Sequence, residues 1–391
     1  MIEDLETHAA VLTTVRRIAD EIAGAHADDV DVAARFPSEA IDALREARLL
    51  SALVPESLGG GGVPFETIAE ACFELGRRCG ATGLIFAMHQ IQVATIVRHL
   101  DDAPWFESYL RELCSEQRLL ASATSEVGTG GDMGRSIAAV TPGDDGSCTF
   151  EKKAPTVSYG AFADDILTTL RKTPDAEPGD QVIVLTHASQ MNLEPTSTWN
   201  PLGMRGTCSP GYVITARFAP EQVLPTPFPR VSAETMVPAA HILWSHVWLG
   251  IATDAFDRAR AYVKVLAKQR PDARPPAAQR LSQLMSELSL LRAGVESGLR
   301  DFVQASSGNR DELSTMAAAL RFNNLKIAAS EQAPRLCQGA MSICGIAGYM
   351  NGTPYSIGRH LRDSLSAALM VANERIHDTN ASLLLIAKDV T

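Results

Sequence analysis

The sequence predicts a mostly helical α+β protein made of three consecutive stretches. Three observations carry that reading. Apolar residues recur at helical spacing over 1–117, short runs of β-branched residues take over across 118–230, and helical spacing returns over 231–391. Strand and helix do not alternate, which argues against a doubly wound dinucleotide-binding fold.

In the first stretch Leu44, Leu49 and Leu50 follow a polar, helix-compatible run, and Leu75, Leu84, Ile85 and Ile91 continue at helical spacing. The break is Val54-Pro-Glu-Ser-Leu58, followed by the four glycines 59–62 and then Pro64. Four glycines in a row rule out regular structure, so a loop between helices is expected. In the second stretch, residues 166–170, 182–186 and 212–218 read as strands between Gly, Pro and Asp punctuation. Short strands at close spacing suggest an antiparallel sandwich or barrel. In the third, Leu281, Leu284, Leu288, Leu291, Val295, Leu299 and Phe302 advance by three or four and mark one face of a long helix. The proline-rich run 271–276 separates it from a helix containing Gly250, Ile251, Ala252 and Ala255. A final helix is expected over about 363–388.

Charge narrows the partners. With 35 Lys and Arg against 46 Asp and Glu, the net charge of −11 disfavours nucleic acid and anionic membrane surfaces, both of which need a basic face. A composition 46% hydrophobic and 21% charged excludes a disordered chain, and only 6% aromatics leaves the core to aliphatics and Ala. The seven cysteines have no C-x-x-C spacing, which argues against a disulfide framework or a zinc site. They read as buried hydrophobes in a reducing compartment. Glu3, Asp4 and Glu6 do not fit a signal peptide. No apolar run suggests the ~20 residues of a membrane span. A soluble, cytoplasmic protein is expected.

Six short motifs then point to a family. Val54-Pro-Glu-Ser-Leu-Gly-Gly-Gly-Gly62 resembles the "PE-x-x-GG-x-G" turn of the acyl-CoA dehydrogenases. Thr124-Ser-Glu-Val-Gly-Thr-Gly-Gly-Asp132 resembles their "TEPGAGSD" signature, and Val157-Ser-Tyr-Gly160 stands where they have "ITNG". Leu202-Gly-Met-Arg-Gly206 is similar to "LGMRGS", Cys344-Gly-Ile-Ala-Gly-Tyr349 to "GGxGY", and Arg359-His-Leu-Arg-Asp363 to the closing "RD" element. The motifs fall in the family's order along nearly the whole chain. The resemblance implies an N-terminal helical domain, a central antiparallel β-barrel and a C-terminal four-helix bundle. It also implies FAD bound between subunits of a homotetramer or homodimer.

The resemblance assigns roles residue by residue. Ser125 matches the family's Thr whose hydroxyl meets the isoalloxazine, and Ser158 matches the Thr near flavin N5; both keep a hydroxyl donor. Ser122 and Thr124 are expected to add nearby contacts. Gly130 and Gly131 allow close approach to a ligand, although Gly131 replaces the family's Ser. Gly345, Ile346 and Gly348 are expected to approach the FAD of a neighbouring subunit. The other reading of these Ser and Gly residues is ordinary turn chemistry.

The pattern breaks at the base. The family's reaction needs a carboxylate to take the proton α to a thioester while hydride leaves the β-carbon. In most members it is a Glu eight residues after the Asp of "RD", which here is Val371. Other members carry it on the first bundle helix, at about Ala240 here, and the adjacent family Arg maps to His241. Glu374, nearly one helical turn past Val371, is one substitute; otherwise it is a surface Glu near Arg375 or Lys388. His89, in Phe86-Ala-Met-His-Gln90, resembles the His of flavin-dependent monooxygenases sharing this fold, and His241 is the other histidine candidate. The third possibility is that α-proton chemistry is absent. The aromatic shield of "WITNG" maps near Thr156. The "RxxFG" segment, whose Arg meets the FAD pyrophosphate, is replaced by Lys268-Gln-Arg-Pro-Asp-Ala-Arg274. Arg270 or Arg274 could supply that charge, or the run is a solvated loop. Trp244 and Trp248 read as core packing.

The first expectation is an FAD-dependent oxidation of the α,β-bond of an acyl thioester, with electrons passing to an electron-transfer flavoprotein or to oxygen. The alternatives are a monooxygenase or oxidase of the same fold, or a non-catalytic binding protein.

Overall fold

The computed structural model describes residues 2–269 and 271–387. The N-terminal helices are α1 (Ile2–Ile18) and α2 (Gly24–Ala33), continuous through a π turn at Ala19–Ala23, then α3 (Ser38–Glu46), α4 (Phe65–Arg78), α5 (Gly80–Arg98) and α6 (Pro104–Glu116). The strands follow: β1 (Leu120–Ala123), β2 (Thr141–Pro142), β3 (Cys148–Ala154), β4 (Asp165–Arg171), β5 (Gln181–His187), β6 (Met191–Pro195) and β7 (Tyr212–Phe218). The short α7 (Phe228–Val231) leads through a π turn into α8 (Val237–Gln269). Then come α9 (Ala277–Ser307), α10 (Met316–Cys344), α11 (Ile346–Tyr349), α12 (Gly358–Leu365) and α13 (Asn373–Ile386).

The glycine-rich break after Leu58 is an ordered turn. Gly62 N–H donates to the Val54 carbonyl at 2.9 Å and Val63 N–H to the Ala52 carbonyl at 2.8 Å. Helix α5 is 19 residues long and apolar enough by length and composition to cross a membrane, contrary to the expectation that no run approaches that size. It is the core helix of its region, 89% buried.

The strands correct the expected barrel. They form two sheets, one of three strands in the order β1-β4-β5 and one of four in the order β2-β3-β7-β6. Nor are they wholly antiparallel, because β1 runs parallel to β4, with Ser122 opposite Leu167. Closure needs an unbroken ladder. Among the described residues, only isolated bridges, Ala139 to Arg171 and Val184 to Val223, add to the ladders within each sheet. β2 has two residues, too few to carry a ladder across. β3 alternates buried and exposed, so one face turns inward, whereas β4 and β5 are buried on both faces and lie in the interior.

The C-terminal region is built on three long helices. Leu284, Leu288, Leu291, Val295 and Phe302 of α9 are buried, as their spacing predicts. The single last helix expected over about 363–388 is two, α12 and α13, separated by a turn at 366–372. Val371 in that turn has φ +48°, a left-handed backbone that a β-branched residue rarely adopts.

The β region and the bundle are riveted where two motifs meet. A Cβ at Gly203 would lie 2.0 Å from the Arg362 carbonyl oxygen, so only glycine admits this approach. Beside it, Met204 N–H donates to Asp363 Oδ1 at 2.7 Å, and Arg362 donates to the Leu202 carbonyl and to Asp31 Oδ1, each at 2.9 Å. All seven cysteines are free thiols, and all but Cys208 are buried.

Candidate active site

The loop after β1 carries Thr124, Ser125, Gly130 and Gly131, four of the residues that the resemblance assigns to the cofactor. It is tied down from beneath by Glu126, which is buried and accepts from Ile137 N–H at 3.0 Å, Ala138 N–H at 2.6 Å and Ser136 Oγ at 3.1 Å. The fully buried Lys152 ammonium lies 3.6 Å from the same carboxylate and donates to the Thr169 carbonyl at 2.7 Å. Burial pushes that ammonium down to about 8. Thr169 Oγ1 in turn donates to the Thr124 carbonyl at 3.3 Å. Ser122 sits within β1, half-buried.

Ser125 Oγ donates to the Thr156 carbonyl at 3.2 Å, two residues before Ser158. Ser158 accepts from Ser209 Oγ at 3.0 Å, leaving its own O–H free to donate elsewhere. The chain thus brings together the two segments that carry these hydroxyls. Further along the loop, Gly130 has φ +63° and Gly131 φ +84°. The bare edge of that turn faces Arg375 of α13: a Cβ at Gly130 would lie 3.1 Å from its Nη2, and one at Gly131 3.2 Å from its Nε.

Behind the 366–372 turn lies a buried cation. Lys326 Nζ of α10 donates to the Val371 carbonyl at 2.9 Å and to Asn373 Oδ1 at 2.7 Å, and sits 6.0 Å from the centre of the Trp248 ring. Burial lowers it to about 8. His241 of α8, buried, meets the Phe322 carbonyl through Nδ1 at 3.1 Å. Burial first, and then the charge of Lys326, push it down to about 3, so it is neutral. Trp244 and Trp248 lie alongside with ring centres 6.4 Å apart, Trp248 fully buried.

The remaining candidates are placed elsewhere. His89 has no exposed surface: its Nε2 meets the Leu50 carbonyl at 2.7 Å and its Nδ1 the Leu120 N–H at 3.0 Å. These partners imply the tautomer with the proton on Nε2 and leave neither nitrogen for a substrate proton. Glu374 is exposed on the first turn of α13. Gly345 has φ +58° with open space around it, Ile346 is 72% exposed, and Gly348 is buried. Arg270 lies outside the described residues, and Arg274 is exposed.

Sequence reasoning missed Glu126, Lys152, Lys326 and Arg375. Lys152 and Lys326 had a signal: each falls at an inward position of its strand or helix, where a charge needs a special partner. Arg375 had none, because its partners are glycines more than two hundred residues away.

With this geometry in view, the comparisons with known proteins converge. Residues 5–117 match the acyl-CoA dehydrogenase N-terminal domain, and residues 236–372 match the acyl-CoA dehydrogenase C-terminal domain. The chain belongs to the acyl-CoA dehydrogenase family, a family of flavin-dependent oxidoreductases that includes monooxygenases. It is 26% identical over 364 residues to the probable acyl-CoA dehydrogenase YngJ of Bacillus subtilis, covering 90% of both chains. It is 27% identical over 280 residues to a dibenzothiophene monooxygenase of Mycolicibacterium goodii, covering 69% of this chain and 65% of that one. FMN-bound TdsC from Paenibacillus sp. A11-2 shares the fold, with TM-score 0.78 and 21% identity over 98% of this chain and 97% of that one.

Proposed function

We propose that the chain is a flavin-dependent monooxygenase built on the acyl-CoA dehydrogenase fold. One observation carries the reading. At the position where the resemblance puts a carboxylate base stands Val371, its carbonyl bound by the Lys326 ammonium, while Glu374 points to solvent and Ala240 has no functional group. A reaction that begins by removing a proton α to a thioester needs an acceptor at that place. A buried ammonium there favours anions and withholds the acceptor that step requires.

The residues fit a flavin. Ser125 and Ser158 present short neutral hydroxyls from adjacent segments, and the glycine turn leaves backbone uncovered beside them. Bound there in reduced form, a flavin supplies the electrons that activate oxygen. The chain's own part is to position and enclose: the Glu126–Lys152 clip holds the loop, and Gly203 locks the β region onto the bundle. FMN is the proposed form, in place of the FAD expected from the resemblance; TdsC, of the same fold, is FMN-bound. Ile346 and Tyr349, both about 70% exposed, lie where the resemblance expects a neighbouring subunit, which supports a homo-oligomer. The free thiols are in keeping with the cytoplasm.

Dehydrogenation of an acyl thioester is the second reading, favoured by the match to YngJ along 90% of both chains. Anaerobic mixing of the flavin-loaded protein with acyl thioesters separates the two. No bleaching of the flavin band is expected with thioesters; oxygen-dependent product is expected from substrate once the flavin is reduced. Rapid bleaching by a thioester overturns the monooxygenase reading. In that case Glu374→Gln decides whether the exposed carboxylate is the base: unchanged bleaching is expected, and its loss would assign the role to Glu374.

A further inference from the structure

Arg375 is an exposed arginine on the first turn of α13, and it differs from about half of this protein's arginines in what it faces. Arg16, Arg35, Arg45, Arg77, Arg78 and Arg118, for example, each lie within 4 Å of a carboxylate. Among the described residues Arg375 has no such partner, and its guanidinium makes no hydrogen bond. Instead it crosses from the bundle to the β region and lies over two glycines, with Nη2 and Nε set where the Cβ atoms of residues 130 and 131 would press on them. The nearby Asp132 carboxylate is engaged within its own turn, with Oδ1 accepting from Gly134 N–H at 2.9 Å. An arginine held against bare backbone keeps its fork of donors free for an acceptor with several oxygens. The turn beneath it starts five residues after Ser125, on the same loop.

We propose that Arg375 and the Gly130–Gly131 turn form the seat of the flavin's phosphate, the ring lying toward Ser125 and Ser158 and the phosphate toward α13. The proposal rests on the flavin reading above and goes further by assigning the phosphate to a cation of the same chain. Gly131 and Arg375 then act as a pair: the side chain missing at 131 is what admits the guanidinium. A serine at 131 would set its Cβ 3.2 Å from Nε, so the arm would have to give by a few tenths of an ångström, and it would strain a backbone at φ +84°.

The test is equilibrium binding by the full-length protein stripped of flavin. Riboflavin, FMN and FAD are titrated separately, following quenching of flavin fluorescence, with wild type, Arg375→Gln, Arg375→Lys and Gly131→Ser. Wild type should bind FMN at least tenfold more tightly than riboflavin. Arg375→Gln should lose roughly ten- to a hundredfold in FMN affinity while riboflavin affinity stays unchanged; a charge-assisted contact of this kind is worth about that factor. Arg375→Lys should recover part of the loss, and Gly131→Ser, which shifts the arm without removing its charge, should weaken FMN binding by less than Arg375→Gln does. Parallel losses for FAD place its first phosphate at the same seat; a loss confined to FMN marks a seat for the phosphomonoester. Arg375→Gln binding FMN as wild type does, or losing FMN and riboflavin equally, overturns the phosphate seat and leaves the flavin reading standing. Failure of wild type to bind any of the three flavins overturns both.

Discussion

His89 shows how much one side chain's role depends on what it faces. It lies on an apolar helix, and from the sequence it serves equally as a base or as a core histidine. In the folded chain it bridges two distant backbone groups, the Leu50 carbonyl and the Leu120 N–H, 39 and 31 residues away. It therefore ties the segment after α3 to β1, the strand that leads into the 124–132 loop. His89→Leu leaves the Leu120 N–H without its histidine partner and the Leu50 carbonyl with only the long 3.5 Å contact from Gln90 Nε2, and should cost about 1–3 kcal/mol. Urea unfolding of the variant checks this, and a midpoint equal to wild type would show that the strut is dispensable. Glu374 and Arg375 make the complementary point. They are neighbours in sequence and both are exposed, yet only Arg375, the one passed over, reaches the glycine turn.

At the scale of elements, the decisive contact is between the 202–206 loop and α12. Two motifs that look independent in the sequence interlock through Gly203 and Asp363. Burial raises the Asp363 carboxyl to about 6, against the pull of Arg359 and the Met204 N–H. Gly203→Ala would drive a methyl into the Arg362 carbonyl and must shift α12, a destabilisation of about 1–3 kcal/mol or more. Thermal unfolding reads this directly, and an unchanged Tm would mean that the junction yields at no cost. Strands β4, β5 and β7 were legible because runs of β-branched residues between Gly, Pro and Asp mark them locally. That the sheets stay open was not, because closure depends on which edges pair across long separations. Nor was the break between α12 and α13, which is held from outside by Lys326.

Over the whole molecule, buried histidines set an acid limit. Burial lowers His89, His99, His246 and His360 to about 4, and His241 to about 3. In the unfolded chain each titrates near 6.5. The fold therefore refuses protons that the unfolded chain accepts, so stability is full above about pH 6.5 and falls as pH drops toward 4. Asp363, raised to about 6, works in the opposite direction by one proton. Lys152 and Lys326, near 8, are mostly charged below pH 7 and add little slope there. Urea midpoints at pH 7.5 and pH 5.0 should show a clear drop at the lower pH; equal midpoints would mean that these histidines are protonated in the folded protein.

The sequence by itself determined the helical–β–helical order, the main strands, the inward face of α9 and the family. All of these rest on patterns read within a few residues, or on short motifs in a fixed order. Only the tertiary structure decided that the sheets remain separate, that His89 is a strut, that a lysine backs Val371 and that Arg375 meets the glycine turn. Those outcomes depend on which groups share a desolvated space, and burial makes their pairing obligatory only once distant segments have been brought together.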